Sequence, residues 1–342
     1  MAKPSLLLIY TGGTIGMVQD AASKHLKPFD FGQITDYIPE LQKLDVKLTT
    51  YAFEQPIDSS NMTPAVWLRL ALIIEQKYAH YDGFVILHGS DTMAYTASAL
   101  SYLLENLSKP VILTGSQLPM GIIRTDGKEN IITAIEIAAS KQKNGKALVP
   151  EVCIYFEFKL FRGNRTHKYN AEQFKAFQSA NYPALAEAGV TITYNNNSIL
   201  PFPRKALKVH TAMDTNVAAL KLFPGITPSH VEAILSMPKL KALVIETFGS
   251  GNAPSQSWLL NIFQAAIKRG IIIFNVTQCN AGAVIQGKYE TSSGLKQIGV
   301  IGGSDITFEA ATTKLMFLLG QNLPLQTLKK QLATSLRGEM AS

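Results

Sequence analysis

The sequence predicts an α/β protein of two domains, a larger N-terminal Rossmann-like (flavodoxin-like) domain built on a parallel sheet and a smaller C-terminal α/β domain. Three observations carry this. At 342 residues the chain is too long for one ordinary domain and suits two, at ~100–200 residues per domain. Its first two-thirds repeat apolar strand, polar turn and amphipathic helix, the alternation of a parallel sheet covered by helices. The strand candidates are continuously apolar, as strands buried on both faces are.

In chain order, Leu6–Tyr10, Lys47–Phe53, Gly83–Leu87, Val111–Thr114 and Val152–Phe158 read as strands. Thr63 and Pro64 supply an N-cap and a first-turn proline for a helix running to about Tyr78. Helices near Met93–Leu104 and Asn130–Lys141 follow the next two strands. The stretch 189–206 is rich in Asn and Pro and has no helical period, so it reads as a linker between a catalytic domain over 1–188 and a second domain over 207–342. The second domain repeats the rhythm, with strands at Val217–Leu222, Ala242–Thr247 and Ile271–Val276 and helices at about His230–Met237 and Ser255–Arg269. Asp305 is placed to cap a last long helix through Leu319.

Composition narrows the class. Hydrophobic residues make up 46% and charged residues 17%, the profile of a folded globular chain. The formal charge of +7 is scattered, with no basic run interleaved with aromatics, so it reads as solvated surface and no nucleic-acid partner is expected. The apolar stretch Leu6–Tyr10 is too short for a secretory core and has no small-residue cleavage site, which points to the cytoplasm. No apolar run approaches the ~20 residues that cross a bilayer, so no membrane partner is expected. Cys153 and Cys279 are far apart in apolar stretches and read as buried free thiols; without a Cys or His cluster, no metal or other cofactor is expected.

Three strand ends carry polar clusters, and ligands of open α/β sheets gather at the carboxyl ends of strands. Thr11-Gly12-Gly13-Thr14-Ile15-Gly16 follows the first strand; paired glycines let the backbone turn sharply and hold Thr14 at the sheet's mouth. A phosphate loop is the rival reading, but neither nucleotide fingerprint is present, and a plain turn is the other. His88-Gly89-Ser90-Asp91-Thr92-Met93 lies between strand and helix, where Asp91 either caps the helix or belongs to a site. In Ile57-Asp58-Ser59-Ser60-Asn61, Asp58 beside two serines suits an ammonium or a carboxylate, or an ordinary loop. No Ser-His-Asp or Cys-His arrangement and no G-x-S-x-G emerges, which favours a threonine nucleophile. A hydroxyl needs help from a base, and Lys168 is a candidate, with a surface lysine as the alternative.

Together and in this order the clusters closely resemble the bacterial asparaginase family, specifically its type I cytoplasmic branch. The strings that carry the resemblance are TGGTIGM at 11–17, IDSSNMTP at 57–64, YDGFVILHGSDTMAYTASAL at 81–100, KPVILTGSQLP at 109–119, RGNRTHK at 162–168 and GSGNAP at 249–254. GVIGGSDITFEAATTKL at 299–315 and LRGE at 336–339 extend it over nearly the whole chain.

The resemblance implies hydrolysis of L-asparagine to L-aspartate and ammonia. Thr14 matches the nucleophile that forms a β-aspartyl enzyme. Ser90, where the family has a threonine, would form a proton relay with Lys168 and Asp91. Asp91 would also take the substrate's α-ammonium, while Asp58, Ser59 and Ser60 match the loop gripping the α-carboxylate and α-amino ends. Backbone amides near Ser90 would supply the oxyanion hole. Charged contacts at both ends of so short an amino acid make longer glutamine a poor fit. A homodimer or homotetramer is implied, with Asn252 reaching into another subunit's site.

Three positions depart from the family pattern. Ser90 keeps the hydroxyl but loses a stiff, β-branched χ1. The tyrosine that supports the nucleophile has no counterpart between Val18 and Phe29, where Lys24 and His25 stand. Glu246 replaces the arginine that binds effector asparagine, so the resemblance does not extend to allosteric control. Two other readings stay open: the amidase subunit of a tRNA-dependent amidotransferase, which normally carries an added N-terminal domain, and a non-catalytic nucleotide-binding α/β module, whose phosphate fingerprint is missing.

Overall fold

Ser5–Tyr10 forms β1, and every residue after its first is buried. In the computed structural model, which describes residues 3–19, 26–28, 34–287 and 290–341, this strand lies inside an eight-stranded sheet. The other strands are β2 (Lys47–Ala52), β3 (Gly83–Leu87), β4 (Val111–Thr114), β5 (Val152–Phe156), β6 (Lys159–Arg162), β7 (Ala186–Ala188) and β8 (Ile192–Tyr194). Strands β1 to β5 are parallel in the order 2-1-3-4-5, the flavodoxin-like order, and β6 to β8 add an antiparallel edge beyond β5.

The sheet is buried on both faces, as its continuous apolar runs require. Leu6, Leu8, Val85 and Leu87 pack with Ile131, Ala134 and Ile135 of helix α3 (Gly127–Ala139). Leu7, Ile9, Phe84 and Ile86 alternate with them, point to the opposite face and are buried too. Each such side chain contributes ~1.5–3 kcal/mol over an exposed one. Helix α1 (Pro64–Lys77) begins as its sequence predicts, with Pro64 in the first turn and Thr63 in the cap position, although the Thr63 hydroxyl makes no capping bond. Helix α2 (Met93–Leu103) follows β3, and all but Tyr95 of its residues are buried.

The chain divides into two compact units, Met1–Thr211 and Ala212–Ser342. Strand β8 lies inside the stretch 189–206 that reads as linker in the sequence, and it pairs with β7 on the first unit's sheet. The expected strand Val152–Phe158 stops at Phe156. Glu157 and Phe158 take positive φ of 44° and 64° and reverse the chain into β6, a hairpin turn without the usual Gly or Asn.

The second unit holds a parallel sheet of β9 (Val217–Lys221), β10 (Ala242–Thr247), β11 (Ile272–Thr277) and β12 (Ile301–Gly302), in that order. Helices α4 (Pro228–Leu235) and α5 (Ser257–Lys268) supply Val231, Leu235, Leu259 and Phe263 to its core. The expected Asp305 cap is corrected: Thr307 caps helix α6 (Phe308–Gly320) by accepting from the Ala310 N–H, while Asp305 accepts from the Ala341 N–H. Helix α6 is the last long helix, as expected, and a shorter one, α7 (Leu325–Leu332), follows it. Lys314 of α6 forms a fully buried ion pair with Glu339 at 2.6 Å, fixing the LRGE segment. Cys153 is a buried free thiol as expected, but Cys279 is exposed. No helix among the described residues is long and apolar enough to cross a membrane.

Candidate active site

In the parallel order 2-1-3-4-5 the connections run in opposite directions from β1 and from β3, and a crevice opens at the carboxyl ends of these neighbours. Tyr10 and Leu87 are paired across them, so the segments that follow leave the sheet side by side. The Thr11 hydroxyl locks this junction by donating to the buried Leu87 carbonyl at 2.9 Å.

Three loops then meet through glycine. Gly13 has φ 89°, and a Cβ there would lie 2.5 Å from the Gly89 backbone. A Cβ on Gly89 would in turn lie 2.6 Å from Ser59 Oγ. Both distances are far below van der Waals contact, so only glycine lets the segments after β1, β2 and β3 approach this closely. The Ser59 carbonyl also accepts from the Thr92 hydroxyl at 2.6 Å, tying the second loop to the third.

Around this junction lies a cavity of about 310 Å³ whose lining includes Thr14, Met17, Asp58, Ser59, Ser90 and Asp91. Thr14 opens a short 3-10 turn, Thr14–Gly16. Asp58 caps another, Ser59–Asn61, by accepting from the Ser60 N–H at 2.9 Å. The Ser60 hydroxyl donates to the same carboxylate at 2.8 Å, and Ser60 is not among the cavity's lining residues. The Ser60 backbone bond first, then its hydroxyl, hold the Asp58 carboxyl below its ordinary value.

Lys168 enters from far along the chain, on a short ribbon in which His167–Lys168 pairs with Phe177–Gln178. Its Nζ donates to Ser90 Oγ at 2.9 Å and to Asp91 Oδ1 at 2.6 Å. The lysine side chain is 14% exposed and the aspartate 65%, so the pair is screened on the aspartate's side. Asp91 does not cap α2; Thr92 occupies that position and its side chain makes no capping bond. Ser90 Oγ donates onward to Gln117 Oε1 at 3.3 Å, and Gln117 Nε2 is fixed by the Ala171 and Gln173 carbonyls. One hydroxyl thus accepts from the lysine and donates to an amide, and the two bonds fix its orientation beside the cavity.

Asn252 lies in the second unit, in the tight turn where Phe248 and Asn252 exchange backbone hydrogen bonds of 2.9 and 2.8 Å. Glu246 stands at the carboxyl end of β10. Lys24 and His25, in the stretch read for a supporting tyrosine, lie outside the described residues. Sequence reasoning missed Gln117, whose only signal was a lone amide after the fourth strand. A larger cavity, about 610 Å³, includes Gln117 and Arg124 in its lining but none of Thr14, Asp58, Ser90, Asp91 or Lys168. The smaller one is where the chemistry converges.

Fold and site define a two-domain α/β protein whose hydroxyl-bearing loops converge, with a lysine, at the first sheet's switch point. Residues 5–200 match the family model described as asparaginase, N-terminal, and residues 216–332 the glutaminase/asparaginase C-terminal domain. L-asparaginase 1 of Escherichia coli is 42% identical over 99% of both chains. A 60 kDa lysophospholipase of Mus musculus is also 42% identical, over 98% of this chain but 62% of its own length. The crystal structure of L-asparaginase I from Vibrio cholerae superposes with a TM-score of 0.90 at 40% identity, covering 100% of each chain. The chain belongs to the asparaginase family.

Proposed function

We propose that the protein is an L-asparaginase that cleaves the side-chain amide of asparagine through Thr14. The observation carrying this is one cavity lined by Thr14 and by a Ser90–Asp91 pair held by Lys168. Full-length similarity to L-asparaginases of Escherichia coli and Vibrio cholerae supports the substrate.

The Thr14 hydroxyl attacks the side-chain carbonyl carbon, and the C–N bond breaks to release ammonia, leaving a β-aspartyl ester on Thr14. Water then attacks the ester carbon, giving aspartate and the free threonine. Ser90 and Lys168 carry protons between the reacting groups, with Asp91 balancing the lysine's charge. Asp91 also takes the substrate's α-ammonium, and the Asp58–Ser60 loop takes its α-carboxylate and amino end. Serine lacks the stiffness of threonine, and here bonds to Lys168 and Gln117 hold its hydroxyl in place.

The same reading makes the enzyme a homodimer or homotetramer in which Asn252 completes a neighbouring subunit's site. It places the enzyme in the cytoplasm, where two free thiols suit a reducing compartment. The test is ammonia release from L-asparagine, L-glutamine and D-asparagine. L-asparagine should be fastest, and no ammonia from any of them ends the proposal. Faster release of fatty acid from a lysophospholipid would move the assignment to ester hydrolysis.

A further inference from the structure

Behind the Ser90 loop a line of hydrogen bonds runs through the interior. Trp67 Nε1 donates to Thr96 Oγ1 at 3.0 Å, Thr96 Oγ1 meets His88 Nε2 at 2.8 Å, and His88 Nδ1 meets the Gly89 carbonyl at 2.6 Å. His88 and Thr96 are wholly buried. A carbonyl only accepts, so Nδ1 bears the proton. Burial lowers the His88 pKa to about 4, against the weaker opposite pull of the Gly89 carbonyl, so the ring is neutral at pH 7. Nε2 therefore accepts from the Thr96 hydroxyl, and every donor in the line has one direction.

The Gly89–Ser90 peptide is planar and trans, so its C=O and N–H point in opposite directions. The carbonyl is turned onto buried His88, and the Ser90 N–H points away from it, on a residue that lines the cavity. Among the described residues no acceptor takes that N–H. Gly89 is pressed between Gly13 and Ser59, so a rotation of this peptide would be felt in all three loops.

We propose that His88 is a positioning residue: its Nδ1–H pins the Gly89 carbonyl and thereby aims the Ser90 N–H at the substrate's carbonyl oxygen as that oxygen gains charge. This rests on the asparaginase reading above. Its own effect lies in the transition state, because the ground-state carbonyl carries little charge, so loss of the bond should lower kcat and leave KM nearly untouched.

His88→Asn keeps a donor near the place of Nδ1, whereas His88→Gln places its amide toward Thr96 and leaves the Gly89 carbonyl alone. The glutamine variant should lose ~10–100-fold in kcat with KM within about 3-fold, and the asparagine variant should keep kcat within about 5-fold of native. Equal kcat in the two folded variants, or a loss confined to KM, overturns the proposal. Should neither fold, Thr96→Val removes the donor that steadies the ring; a kcat equal to native then overturns it, and a lower kcat at unchanged KM supports it. Asparagine turnover by the native protein and its loss in Thr14→Ala test the underlying reading, so failure of the His88 comparison alone sinks only this inference.

Discussion

Lys168 Nζ lies 2.9 Å from Ser90 Oγ and 2.6 Å from Asp91 Oδ1, joining residues 78 and 77 positions apart in the chain. A surface lysine would gain nothing from such placement. Here a small antiparallel ribbon delivers it to the switch point of a parallel sheet.

Lys168→Met should therefore keep the fold and lose turnover, because its charge is shared with an aspartate that is mostly exposed and able to turn to water. General acid–base contributions of this kind amount to ~10²–10⁴-fold, and kcat from ammonia release reads the loss directly. A variant within twofold of native would remove Lys168 from the relay.

Ser90 separates the role of the hydroxyl from that of side-chain stiffness. Ser90→Thr restores the β-branched rotamer and should stay within about 3-fold of native kcat, since Lys168 and Gln117 already orient the oxygen. Ser90→Ala removes the relay atom and should fall by about the same ~10²–10⁴-fold as the lysine variant. The two alanine and methionine losses should not add, because both break one relay.

Acid should weaken the fold through His88. Its folded-state pKa of about 4 lies below the ordinary 6.5, so between those values the unfolded chain binds the extra proton. Stability is thus fully present above pH ~6.5, declines as pH falls and levels off below ~4, a contribution of roughly 3 kcal/mol at ~1.4 per pKa unit. Denaturant midpoints from pH 7 to 4 read this slope, and His88→Asn should flatten it. An unchanged slope would show that the imidazole is not held neutral.

How much of this was legible follows physical lines. Strands β1 and β3 and the loops bearing Thr14, Ser90 and Asp91 declare themselves locally, as buried apolar runs ending in small and hydroxyl residues. Lys168 needed the family resemblance, since nothing local distinguishes it from a solvated lysine. The turn at Glu157 and Phe158 was hidden because its left-handed residues lack turn chemistry and are held by strand pairing. Asp305 and Thr307 are both good caps by type, and tertiary contact with Ala341 decided between them. His88 was visible as the histidine within the three candidate loops, but its work depends on Thr96 eight residues on, one face of a helix away.

The proposal that subunits share a site predicts complementation. Asn252→Ala and Thr14→Ala should each be impaired, and mixing the two, with exchange of subunits, should return part of the native activity. Sedimentation should show a dimer or larger species at assay concentration. Activity independent of Asn252 in a protein that sediments as a monomer would end that part of the account.

Trapping the covalent intermediate tests Thr14 most directly. Native enzyme turning over L-asparagine is quenched in acid, digested and mapped by mass spectrometry. The account predicts an aspartyl ester on the peptide carrying Thr14, absent from Thr14→Ala, which also releases no ammonia. An adduct on Ser90 instead, or ammonia released at the native rate by Thr14→Ala, would contradict it.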